Sequence, residues 1–175
     1  MKIGDTTSVS RLARHWPWAA VLASLALLAV AHAFESFGHL MPCELCLKQR
    51  TFYWIAIIVA GAGLVWRAVA RGRDPTRLIN VLLALVFLAE AAVAVYHAGV
   101  EWKFWPGPLS CSGGATRVDP AALARLLSGA KMGIPACDKP AWVLLGLSMA
   151  GWNALAAAGL TVLSGLAALR ARPGP

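Results

Sequence analysis

Four long apolar runs, each close to the length of a membrane-spanning helix, constrain this chain more than any other feature. A hydrocarbon core about 30 Å thick is crossed by about 20 helical residues at a rise of about 1.5 Å each. The runs fall at 18–34, broken only by His32; at 51–66, with a start near Leu47 also compatible; at 78–96, carrying one acid, Glu90; and within 142–169. The last is rich in Ala, Gly and Ser and longer than a span needs, so its first residues are expected to lie along the interface or tilt, leaving a span at 146–169. Gly146, Ala150, Ala157 and Gly165 are small enough to let helices approach closely. The fold class expected is an all-α integral membrane protein: a single domain over residues 1–175 built as a four-transmembrane-helix bundle. Composition agrees, with 59% hydrophobic and 14% charged residues and a mean hydropathy of +0.65. Those values exclude intrinsic disorder and argue against a soluble enzyme with a polar surface.

Charge orients the bundle. The chain carries 16 Lys and Arg against 8 Asp and Glu, a formal charge of +8. The basic residues form no aromatic-interleaved tract, so nucleic acid is not the expected partner. They sit beside the apolar runs, where short positively charged loops stay cytoplasmic. Segments 1–17, 67–77 and 170–175 hold 9 of the 16 in 34 positions, whereas the loops 35–50 and 97–140 hold 7 in 60. Both termini are therefore expected in the cytoplasm and both longer loops outside, in the periplasm of a Gram-negative cell. Tryptophans 16, 18, 66, 102, 105 and 142 fall near span ends, as an aromatic belt requires. Arg11, Arg14, the following apolar stretch and Ala31-His32-Ala33 also resemble a secretory leader, but the 17-residue polar-to-basic start is long for one, which favours an uncleaved first span.

All four cysteines, Cys43, Cys46, Cys111 and Cys137, fall in the two loops assigned outside, an oxidising compartment where two disulfides are the default expectation. A bridge between Cys43 and Cys46 closes so small a ring that it constrains the unfolded chain little, and it is a poor staple. It is better suited to chemistry. The motif Pro42-Cys43-Glu44-Leu45-Cys46 precedes the second span, near the positive end of a helix, and the cation Arg50 follows Cys46 by one turn. Both features favour a thiolate at Cys46, the species that attacks. Zinc is disfavoured because neither a second CxxC nor a nearby His completes a tetrahedral set, and Leu47 stands where a c-type haem motif needs His. No metal is expected. Cys111 and Cys137 suit either a loop staple or a second reagent. Between them, Asp119 and Pro120 make a helix start followed by Leu123, Leu126 and Leu127 on one face, a short amphipathic helix fit to lie on the membrane surface.

Taken together, these features resemble the disulfide bond formation protein B family, the DsbB quinone reductases of bacterial inner membranes. The resemblance covers almost the whole chain. It rests on the four spans, Pro-Cys-x-x-Cys with Arg four residues after the second Cys, and the Cys pair in the second outside loop. Tyr96-His97, Trp105-Pro106-Gly107-Pro108 and the stretch from Trp142 to Trp152 add to it. The resemblance implies a thiol:quinone oxidoreductase that reoxidises a periplasmic DsbA-like partner. It implies that the partner attacks Cys111, that Cys137 resolves, and that electrons reach Cys43 and Cys46 through a transient Cys43–Cys137 bridge. Cys46 would then engage a ubiquinone or menaquinone, with Arg50 stabilising the thiolate and the charge growing on the quinone oxygen.

Other residues keep two readings. His97 suits either a hydrogen bond or proton shuttle toward a quinone, or a cap on its helix. Glu90, an acid inside a span, should face the bundle interior with a partner, either structurally or in a proton relay. Glu44 and Lys48 flank the motif as interfacial charges. The competing function class is a non-catalytic four-span membrane protein held by two structural disulfides.

Overall fold

The computed structural model describes residues 5–69, 74–108 and 137–171. Four helices carry the chain: α1 (Asp5–Ser36), α2 (Glu44–Val69), α3 (Thr76–Glu101) and α4 (Met149–Arg170), with strands β1 (Val143–Leu144) and β2 (Leu147–Ser148) just before α4. Cys111 and the expected amphipathic helix lie outside the described residues. Ala13–Ser36, Glu44–Val69, Thr76–Glu101 and Met149–Arg170 are each long and apolar enough to cross a membrane. All exceed the apolar runs or shift their ends, because polar residues at the helix ends continue the same hydrogen-bond ladder.

Two boundaries matter for the site. Helix α2 begins at Glu44, so Cys46, Lys48 and Arg50 stand on its first turns and not in a loop reaching to residue 50. Helix α3 runs to Glu101, which puts His97 in its final turns. The fourth apolar run opens as an antiparallel hairpin pairing Val143 with Ser148 and Leu144 with Leu147, not as an interfacial or tilted helix. Leu145 (φ 53°) and Gly146 (φ 81°) turn it, the left-handed pair that a two-residue hairpin loop needs. Ser148 then caps α4, its hydroxyl accepting from the Gly151 N–H at 3.1 Å.

Helix α3 lies at the centre. Its Ile79, Leu83 and Phe87 pack with Ala20 and Leu28 of α1, Tyr53, Ala56 and Ala60 of α2, and Leu160 of α4. The outward residues Leu22, Ile58, Leu85 and Val162 are all more than half exposed, an apolar surface suited to lipid. Of the small residues expected at contacts, Ala150 and Ala157 are buried, but Gly146 serves the turn and Gly165 faces open space. The close approach is instead at Gly63, where an added Cβ would lie 2.6 Å from the Ile79 side chain. At the basic end, Asn80 Nδ2 donates to the Ala13 carbonyl at 3.0 Å, Arg67 to the Arg14 carbonyl at 2.5 Å, and Trp16 Nε1 to Ser164 at 2.9 Å.

The aromatic belt is only partly a belt. Trp18, Trp66 and Trp102 are exposed near span ends, whereas Trp16 turns inward to Ser164 and Trp142 packs on Phe34 with ring centroids 5.1 Å apart. Trp105 folds back onto α3, stacking on Tyr96 and bonding its carbonyl at 2.9 Å, against Gly99, which leaves room for no side chain there.

Gly63→Val is expected to destabilise the bundle by about 1–3 kcal/mol through overpacking against Ile79. Gly61→Val, the same change where nothing lies within 4 Å, serves as its control. Thermal unfolding of both in detergent measures the difference, and equal midpoints would contradict the packing.

Candidate functional site

All four helices and the segment at Cys137 converge at the end of the bundle opposite the basic contacts. Cys43 immediately precedes α2, and its Sγ accepts the Cys46 backbone N–H at 3.3 Å, the place an N-cap side chain takes. One helical turn separates the two cysteines, which brings their sulfurs face to face at 2.7 Å. Both are free thiols. Cys43 is buried and Cys46 partly exposed. The hydrogen bond with Cys46, then burial and the neighbouring Cys46 charge, push the Cys43 thiol well above the ordinary thiol range. Of the pair, Cys46 is therefore the sulfur fitted to carry the negative charge.

The second pair enters through Cys137, which is disulfide-bonded and 1% exposed. Neither Cys43 nor Cys46 is its mate, both being free. Cys137 packs in one buried cluster with Cys43, Leu45 and Val100, and Cys46 and Tyr96 border it. Beside it, Lys103 Nζ bonds the Asp138 carbonyl at 2.7 Å and its carboxylate at 2.5 Å, and that hydrogen bond holds the Asp138 carboxyl below the usual range.

His97 closes the back of the site. Its Nε2 lies 3.6 Å from Cys43 Sγ and 3.9 Å from Glu101 Oε1, and the ring also hydrogen-bonds the Cys137 backbone. Its Nδ1 faces Gln49 Nε2 at 3.0 Å. Behind Gln49, Asn153 of α4 donates to Gln49 Oε1 at 2.8 Å and to Glu90 Oε1 at 2.6 Å, and accepts the Tyr53 hydroxyl at 2.5 Å. Glu90 thus faces the interior with Asn153 as partner, while its Oε2 finds none among the described residues. Glu101 is held by the Ser148 hydroxyl, which donates to it. The fold supplies the nearby His that the sequence around the motif lacks, since ligand atoms of Cys43, Cys46 and His97 lie within 4.8 Å of one another.

Arg50 makes its hydrogen bonds on α1. Its Nη1 donates to Glu35 Oε2 at 2.6 Å and its Nη2 to the Ala31 carbonyl at 3.2 Å, so its hydrogen bonds go to α1 and not to a sulfur. It still shares a cavity with Cys46. That cavity, of about 730 Å³, is lined mainly by apolar side chains, among them Phe34, Trp142 and Met149, with Cys46, Gln49, Arg50, His97, Glu101 and Asn153 among its polar features. Glu44 and Lys48 pair with each other at 2.7 Å, half-exposed, in an ordinary i,i+4 bridge.

Sequence reasoning missed Gln49, Asn153, Glu101, Ser148 and Glu35. For Gln49 and Asn153 a signal existed: amide side chains inside apolar helices are as much in need of a partner as Glu90.

The family profile described as "Disulfide bond formation protein DsbB" matches residues 13–167. The chain is 33% identical over 164 residues to a "Disulfide bond formation protein B" of Dechloromonas aromatica, covering 90% of this chain and 93% of that relative. A second protein of that description, from a Polaromonas species, is 31% identical over 155 residues, covering 85% and 89%. A "Disulfide bond formation protein B 2" of Pseudomonas entomophila is 32% identical over 138 residues, covering 78% and 79%. No solved structure matches the chain.

After mild reduction, limited alkylation should modify Cys46 before Cys43, since Cys43 is buried and held as a thiol. Peptide mass spectrometry reads the order, and Cys43 reacting first would contradict the assignment.

Proposed function

The chain belongs to the DsbB family of disulfide bond formation proteins, multi-pass proteins of the bacterial inner membrane, and from that premise we propose a thiol:quinone oxidoreductase that reoxidises a periplasmic DsbA-like dithiol. The observation that carries the reading is the packing of Cys137 in one buried cluster with Cys43, whose own partner Cys46 lines a largely apolar cavity. A staple role for the first pair fits poorly with two free thiols facing each other.

The relay runs by exchange. A partner thiolate attacks Cys111, and Cys137 is released as the leaving thiolate. Cys137 then attacks Cys43 of an oxidised Cys43–Cys46 bridge, and Cys46 is released toward the cavity. Each exchange breaks one sulfur–sulfur bond and makes another, so a pair of electrons moves inward while the number of disulfides is conserved. A disulfide of the DsbA type, at about −120 mV, is too oxidising for ordinary dithiol pairs to regenerate, which is the thermodynamic reason for a different acceptor.

The residues around the cavity fit a quinone. A flat apolar ring suits walls such as Phe34, Trp142 and Met149, and a polar edge suits Arg50. A bound quinone supplies an acceptor for two electrons and two protons, the number that two thiols release on becoming a disulfide. Arg50, fixed by Glu35 and the Ala31 carbonyl, holds a positive charge where negative charge develops. Whether the quinone is ubiquinone or menaquinone is a matter of ring substituents. We also assign the sulfur-bearing end of the bundle to the periplasm and the end holding Arg14 and Arg67 to the cytoplasm, following the density of basic residues.

Purified protein given a reduced DsbA-type partner and ubiquinone should bleach the quinone absorbance, and Cys46→Ser should abolish it. Cys111→Ser should lose turnover with the partner while the reduced Cys43–Cys46 pair is still oxidised once by quinone. Arg50→Met should lower kcat/KM for quinone by roughly 10²–10³, the scale of losing one charge-stabilising donor. Intact protein that leaves the absorbance unchanged would favour the non-catalytic, disulfide-stapled alternative.

A further inference from the structure

The hydrogen bonds behind Cys43 all point the same way. Asn153 Oδ1 accepts the Tyr53 hydroxyl, which leaves its amide nitrogen to donate to Glu90 Oε1 and to Gln49 Oε1. With its oxygen so engaged, Gln49 turns its own amide nitrogen to His97 Nδ1 at 3.0 Å. An amide nitrogen only donates, so Nδ1 accepts and carries no hydrogen. A ring whose Nδ1 is an acceptor is neutral, and its one hydrogen sits on Nε2. That is the nitrogen facing Cys43 Sγ at 3.6 Å, with the Glu101 carboxylate at 3.9 Å on the same side, and the ring's hydrogen bond to the Cys137 backbone draws on the same single hydrogen.

We propose that Gln49 and Asn153 are positioning residues that lock His97 as the Nε2–H tautomer, so that the ring serves as a hydrogen-bond donor to Cys43 and not as the base that takes a thiol proton. The inference rests on reading Cys43 and Cys46 as the redox-active pair. It assigns Tyr53 and Glu90 the task of orienting the Asn153 amide, and so gives the buried acid a use without requiring it to move a proton. It also extends to the sulfurs. Cys43 Sγ shares the ring N–H with the Cys137 backbone and receives the Cys46 backbone N–H, which leaves the hydrogen on Cys43 for Cys46 Sγ at 2.7 Å. Donors that follow one another in this way polarise each other, and the run ends on Cys46. The partition of roles between the two cysteines is thereby set partly from inside the membrane, by a run that reaches from Gln49 to Asn153 and Glu90, far from either sulfur in sequence.

The test is the ¹⁵N spectrum of the full-length protein, labelled at histidine, in detergent micelles with the Cys43–Cys46 pair reduced. The His97 signals are assigned by their loss in His97→Asn. Expected are a pyridine-type shift for Nδ1 and a pyrrole-type shift for Nε2. Gln49→Glu exchanges the amide donor for a carboxylate acceptor of the same shape and should invert the pattern, moving the hydrogen to Nδ1. Asn153→Leu frees the Gln49 amide to rotate and should bring in a second, Nδ1–H population. A wild-type ring protonated on Nδ1 or on both nitrogens overturns the proposal, as does a Gln49→Glu ring that keeps the wild-type pattern; an unchanged Asn153→Leu spectrum removes Asn153 from the device. The readout needs no turnover. An Nε2–H ring in protein that fails to bleach quinone would therefore defeat the functional reading and leave this one standing.

Discussion

In hydrocarbon there is no water to satisfy a polar group, so every buried donor and acceptor must find a partner within the protein. The end of this bundle that holds the cysteines is organised by that demand. Tyr53 and Gln49 from α2, Glu90 and His97 from α3, and Asn153 from α4 converge in one hydrogen-bonded run. An orphaned member would cost about 1–3 kcal/mol, which makes the run a constraint on the mutual rotation of three helices as well as on the site. The apolar core beneath, around Leu83 and Phe87, sets how closely the helices pack. The polar run fixes their rotation, because apolar packing alone accepts several rotations and directional bonds accept one.

The four-helix architecture was legible because hydropathy and length are properties of local sequence, and so was the CxxC motif. The helix limits were less so. Glu44, Lys48, Gln49 and Arg50 read as loop because they are polar, yet they continue α2, where the bundle end and the interface solvate them. Leu145-Gly146 was hidden inside an apolar run, and the hairpin needed a positive φ at a leucine that residue preference does not announce. Within the site, Cys43, Cys46 and His97 were singled out and are found together. Gln49 and Asn153 were not, because their pairing joins positions 104 apart and depends on the rotation of α2 against α4.

Arg50 illustrates the difference between a motif and a site. Its spacing places a cation one helical turn from Cys46, favouring a thiolate there. Folded, the guanidinium reaches across to α1 and settles on Glu35 and the Ala31 carbonyl. That arrangement has its own logic. A long cationic side chain at the membrane boundary has many conformers, and an acid partner with a carbonyl removes most of them before any ligand arrives, at modest electrostatic gain because Glu35 is solvent-accessible. It also makes α1 part of the site, since a chain without that helix would leave the cation unanchored.

The two ends of the bundle divide the work by polarity type. At one end, Arg14, Arg67 and Asp74 make exposed, ion-based contacts that water and salt weaken. At the other, amides, a hydroxyl and an imidazole lead from the protein interior to the sulfurs, with the acids Glu90 and Glu101 beside them. Oriented dipoles act on the one atom they point at, and Cys43 is the sulfur they reach. A difference between two chemically identical side chains one helical turn apart can therefore arise from direction, which a run of oriented hydrogen bonds supplies.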